Sequence, residues 1–122
     1  PILALAPVVA SMQLFLDAGL PNLIQKSRTL TAYLRWLIEQ RFAEQLGILT
    51  REEARGAQLS LIVKDPAIDG KALFDRLCEL NVTGDWREPD VIRIAPVPLY
   101  NSFEDVHTFA ERMTVALHDI GQ

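Results

Sequence analysis

Apolar residues at Leu23, Leu30, Leu34, Leu37, Ile38 and Phe42 recur at helical spacing, while Lys26, Arg35, Glu39 and Glu44 fall largely on other faces. The pattern predicts a long amphipathic helix over about 21–46, with Pro21 suited to its first turn and Gly47 to its end. Upstream, Pro1 to Ala10 is almost wholly apolar, and only Ser11, Gln13 and Asp17 interrupt the stretch before Gly19. It lacks the basic start of a secretory signal and the roughly twenty apolar residues of a spanning segment. The expectation is a helix over about 1–18 that is buried, because a helix apolar on most sides needs protein around it. A chain that opens on such a helix without Met is expected to be part of a longer polypeptide, although Met removal or tag cleavage leaves the same first residue.

From Ile48 to Gly56 the periodicity gives way to the charged run Thr50-Arg51-Glu52-Glu53-Ala54-Arg55, a surface connection. Gln58 to Val63 then alternates and is rich in β-formers, so a strand with one face on a core is expected. After a turn at Lys64-Asp65-Pro66, Asp69 suits the cap of a helix through Leu80. Leu73, Phe74, Leu77 and Leu80 form its apolar face, and Asn81 can adopt the left-handed conformation that ends it. Val82–Trp86 and Val91–Ala95 read as two antiparallel strands joined by Arg87-Glu88-Pro89-Asp90. Pro96 and Pro98 stop the last strand. Asn101 or Ser102 caps a final helix with Glu104 placed for a capping box, and Phe103, Val106, Ala110, Met113, Leu117 and Ile120 make its stripe. The order is two helices followed by β-α-β-β-α, with the sheet-containing part over about 57–122. Layer logic makes this an α+β fold, a small antiparallel sheet with helices on one face, in a single domain over 1–122.

Length and composition agree with one packed domain: 122 residues, 49% apolar and 23% charged, outside the range of disordered chains. Twelve Lys+Arg against sixteen Asp+Glu give a net charge of −4, with no basic run, so nucleic acid is not an expected partner and neither is a membrane. A lone cysteine, Cys78, excludes an internal disulfide and a thiolate metal centre, and fits a reducing, cytoplasmic setting. Cys78 sits mid-helix beside Leu77 and is expected to pack rather than react. His107 and His118 are separated by about 16 Å of helical rise and cannot chelate one ion together, so no metal site is expected. Ser60 and Ser102 lack a nucleophile elbow, and Glu52, Glu53, Glu88 and Asp90 fall in connections where carboxylates are usually solvated. Arg93 differs: alternation in Val91-Ile92-Arg93-Ile94-Ala95-Pro96 puts Ile92 and Ile94 on one face and the guanidinium on the other. A rigid strand presenting that fork suits a carboxylate ligand. On spacing alone, an arginine on the solvated face of a sheet is the simpler account.

The run Asp85-Trp86-Arg87-Glu88-Pro89-Asp90-Val91-Ile92-Arg93-Ile94-Ala95-Pro96-Val97-Pro98-Leu99-Tyr100-Asn101-Ser102-Phe103-Glu104-Asp105-Val106 resembles the C-terminal signature of kynureninases. Arg55 to Leu61 is similar to that family's first small-domain strand, and Pro1-Ile2 with the helix after it to the segment entering the domain. The sequence departs from the family at Ala57, where Cys is frequent, and at His107, where Tyr is common. The resemblance implies the small domain of a homodimeric, pyridoxal-phosphate-dependent hydrolase of aminotransferase fold type I. Such enzymes cleave L-kynurenine to anthranilate and L-alanine in tryptophan catabolism and NAD biosynthesis. It further implies that Arg93, at the Ile-Arg-x-Ala-Pro position, binds the substrate α-carboxylate. The family's Schiff-base lysine, the acidic partner of the cofactor ring and most phosphate ligands belong to the large domain, a partner in the same chain. Lys26, Lys64 and Lys71 match no cofactor-lysine motif and stand where side chains are usually solvated, so no catalytic or cofactor-binding residue is expected here and this chain alone is expected to be inactive. Two rival readings are a cysteine desulfurase or class V aminotransferase of the same superfamily, and a non-catalytic amino-acid-binding regulatory module.

Overall fold

The computed structural model describes residues 2–121, so Pro1, counted in the expected first helix, lies outside the described residues. The chain runs α1 (Ile2–Ala18), α2 (Leu20–Arg41), β1 (Leu46–Ile48), a 3-10 turn at Glu52–Ala54, β2 (Leu59–Val63), α3 (Gly70–Glu79), β3 (Asp85–Arg87), β4 (Val91–Ile94) and α4 (Phe103–Ile120). The expected α+β order is present, with one strand added. Helix α2 stops at Arg41, short of the expected 46, because Phe42 leaves helical geometry and Leu46–Ile48 pairs instead with β2. Phe42 and Leu46 are both buried, so the apolar spacing that reads as more helix is met by a turn and a short strand.

The sheet has the order β1-β2-β4-β3 and is antiparallel throughout. Leu59 and Leu61 of β2 and Ile92 and Ile94 of β4 share its buried face. Against it lie Leu30, Leu34, Leu37 and Ile38 of α2, Leu73 and Leu77 of α3, and Val106, Ala110, Met113 and Ala116 of α4. Most of the helical stripes read from the sequence are therefore in the core, but Phe103, expected in the α4 stripe, is exposed at the start of that helix, and Ala116 is buried in addition. Asp69 caps α3 by accepting from the Lys71 and Ala72 amides, and Asn81 ends it with φ 60°. Ser102 caps α4, but its capping-box partner is Asp105 rather than Glu104, since a cap at Ser102 makes Asp105 the third helical residue.

Helix α1 finds no cover within this domain, so the burial expected of it would have to come from protein outside this chain. It is exposed along its described length, with Ile2 and Leu3 at 87% and 89%, and no residue of it is buried. Gly19, at φ 80°, turns the chain between α1 and α2, whose axes bend by 82°, so α1 projects from the helical layer instead of entering it. No single helix is long and apolar enough to cross a membrane; α1 and α2 reach that length only as this bent pair.

Candidate functional site

Arg93 stands on β4, an inner strand, opposite Ser60 of β2 and Asp85 of β3. Because directly opposed residues share a face, the register itself brings a carboxylate to the guanidinium. Arg93 Nε donates to Asp85 Oδ2 at 2.8 Å, Nη2 donates to the same oxygen, and Arg87 Nε donates to it at 2.9 Å. The hydrogen bond from Arg93, with the charges of both arginines, holds the Asp85 carboxyl below the usual carboxylate range. Arg93 keeps 30% of its side chain exposed, and its guanidinium bonds no other group among the described residues.

The Arg93–Asp85 pair lies on the wall of a cleft of about 610 Å³, between the 81–84 loop, the segment after β4, and one side of α4, with Leu34 of α2 also in its lining. Gly84 permits the tight approach of that loop: a Cβ there would lie 3.1 Å from the Arg93 carbonyl oxygen. The segment after β4 is braced twice, by the Val97 amide donating to Asn101 Oδ1 and by Lys26 Nζ donating to Pro98 O, each at 2.8 Å. Arg112 of α4, also in the lining, ties that helix to the 81–84 loop, its Nη1 donating to the Asn81 carbonyl oxygen at 2.9 Å. The cleft thus presents a strand-mounted arginine whose bonded edge is occupied by Asp85.

The other candidate residues lie elsewhere. His107 and His118 are exposed on α4, near Glu111 and Asp119 at 3.7 and 3.6 Å. Among the described residues no group of three or more His, Cys, Asp or Glu is placed to hold a metal ion. Cys78 is exposed, not packed as expected, because the buried face of α3 centres on Leu73 and Leu77 and the next position turns outward. Glu52 is not simply solvated: it lies 2.8 Å from Arg35 Nε and 2.8 Å from Arg55 Nη2, and the Arg55 hydrogen bond lowers its pKa first, with the charges of both arginines adding to that. Glu88 accepts from Trp86 Nε1. Ser60 and Ser102 hold structural bonds, Ser102 as the α4 cap.

The three lysines test whether this chain can hold pyridoxal phosphate covalently. Lys26 is part-buried and bonded to Pro98 O, a correction to its expected solvation, while Lys64 bonds Ala43 O and Lys71 bonds Asp75. None lines the Arg93 cleft. The residues present do not fit the covalent requirement of that cofactor, which needs an activated lysine amine at the site. Asp85 was not distinguished by sequence reasoning, and the signal that could have found it was the spacing of β3 and β4 about a three-residue connection, Glu88-Pro89-Asp90.

Comparison with known proteins bears on this geometry. The family model described as the kynureninase C-terminal domain matches residues 23–113. A kynureninase of Xanthomonas euvesicatoria pv. vesicatoria is 54% identical over 115 residues, covering 93% of this chain and 27% of the relative. That of Xanthomonas axonopodis pv. citri is 53% identical over the same length. This chain therefore spans about a quarter of the curated relatives it matches. A solved structure of a C-DES mutant, with glycine covalently linked to its PLP cofactor, superposes with a TM-score of 0.71 at 19% identity, covering 85% of this chain and 26% of that one. At that identity the likeness is one of fold.

Proposed function

The chain belongs to the kynureninase C-terminal domain family, and from that premise we propose that it is the substrate-carboxylate-binding small domain of a kynureninase. The intact enzyme, a homodimer using pyridoxal phosphate, hydrolyses L-kynurenine to anthranilate and L-alanine. The observation that supports the reading is Arg93: an arginine on an inner strand, beside a cleft, bonded along one edge and open at the other. A guanidinium fixed in this way holds a carboxylate at two points and so orients the bonds of the neighbouring carbon toward the reacting groups. Those groups belong to the large domain of the same chain, since the lysines here are engaged elsewhere. By itself this chain produces no anthranilate.

Identities above 50% to kynureninases favour this substrate over those of cysteine desulfurases or class V aminotransferases, for which only the shared fold speaks. The test is Arg93→Ala in the intact enzyme. Two charge-assisted hydrogen bonds lost from substrate correspond to a rise in KM for L-kynurenine of about 100-fold or more, with the absorption of the bound cofactor unchanged. Unaltered KM and kcat would overturn the proposal.

A further inference from the structure

Arginine offers carboxylates two edges, a side edge made of Nε and one terminal nitrogen and an end edge made of both terminal nitrogens. In this domain Asp85 occupies the side edge of Arg93 with a single oxygen, Oδ2. Nη1 bonds nothing among the described residues, and the second oxygen of Asp85 accepts none of these bonds. The same Oδ2 also accepts from Arg87 Nε, so one carboxylate lies between two guanidiniums and the cluster keeps a net single positive charge. We propose that Asp85 is a positioning residue for substrate binding: it locks the side edge of Arg93 so that the end edge, Nη1 with Nη2, is presented to the ligand carboxylate in the cleft. This rests on the reading of Arg93 given above and specifies how that arginine is used.

Two opposing effects decide the sign. As an anion, Asp85 repels an incoming carboxylate, but Arg87 on the same oxygen offsets that charge. As an anchor, it removes rotamer freedom from one of the most mobile side chains in proteins. The anchor dominates because Arg93 is still 30% exposed and Asp85 is the one group among the described residues that its guanidinium bonds. Asp85 is an anion at neutral pH like any carboxylate, and the Arg93 hydrogen bond extends that ionised range to more acidic pH.

The experiment compares Asp85→Asn, Arg93→Ala and the parent in the intact, cofactor-loaded enzyme. It measures KM and kcat for L-kynurenine and the inhibition constants of one non-cleavable kynurenine analogue prepared as its α-carboxylate and as its α-carboxamide. For Asp85→Asn the expected result is a rise in KM of about tenfold, the weight of one charged hydrogen bond. The kcat changes far less, and the preference for carboxylate over carboxamide falls by a similar factor. That preference is a ratio within one enzyme, so a variant that is merely less stable leaves it unmoved. An unchanged or strengthened carboxylate preference in Asp85→Asn, with a weakened one in Arg93→Ala, would overturn the positioning role and leave the Arg93 reading standing. If Arg93→Ala also keeps the preference, both fall.

Discussion

Gly84→Ala probes the packing that puts the 81–84 loop against the Arg93 strand. The new Cβ would stand 3.5 Å from Phe74 Cε2 and 3.7 Å from Ile94 Cγ2, ordinary contacts, but 3.1 Å from the Arg93 carbonyl oxygen. That oxygen belongs to β4, which is hydrogen-bonded to β2 on one side and β3 on the other, so the loop must give way by a few tenths of an ångström. Overpacking of this kind costs about 1–3 kcal/mol, while the stiffer unfolded chain offsets about 0.4–1 kcal/mol. The net expectation is a loss of about 1 kcal/mol. Gly56 is the internal control, because a Cβ there meets nothing within 4 Å. Gly56→Ala is therefore expected to stabilise by about 0.4–1 kcal/mol, opposite in sign. Urea unfolding followed by far-UV circular dichroism reads both; with a slope of about 2 kcal/mol per molar, Gly84→Ala lowers the midpoint by about 0.5 M. A Gly84→Ala midpoint at or above that of the parent, or a Gly56→Ala midpoint below that of Gly84→Ala, would refute the reasoning.

Two further predictions concern the domain as a whole. Met113 is fully buried between α4 and the rest of the core, so Met113→Ala should cost about 2–5 kcal/mol in the same urea assay, and a loss under about 1 kcal/mol would show that the site refills. Asp85, Asp119, Glu52 and Glu111 have pKa values lowered chiefly by hydrogen bonds from arginines, and Asp105 by the Ser102 amide. Lowered folded-state values mean stability that is present above the unfolded carboxylate range of about 4. It is lost as pH falls through the folded values. The urea midpoint should therefore hold from pH 7 to about 5 and fall below about 4; a midpoint that stays level or rises on acidification to pH 3 would contradict these pairings.

The sequence carried the core well and the site by halves, for physical reasons. Leu30, Leu34, Leu37 and Ile38 were legible because a stripe at helical spacing has one way to be buried, and the Ile92/Ile94 against Arg93 alternation likewise. Strand β1 was not, because three residues after a helix continue its apolar rhythm and only pairing with β2 distinguishes them. Asp105 was missed as capping partner by the single-residue ambiguity between Asn101 and Ser102 as the cap. The Asp85–Arg93 pair depends on hairpin register, a property of two strands together that neither strand's pattern contains. Helix α1 was legible as a helix, but apolar residues on all sides record that a segment requires protein around it and do not say which domain provides it.

The inner position of β4 also bears on how the site tolerates change. A strand bonded on both flanks has no private route of opening, so the amides around Arg93 should exchange with solvent only when the whole sheet comes apart. On the proposed reading of Arg93, carboxylate binding would then be all-or-none with the fold. Core substitutions that leave the domain mostly folded should be silent for ligand affinity, and those that exceed its margin should abolish binding outright, without a graded series of weakened sites between.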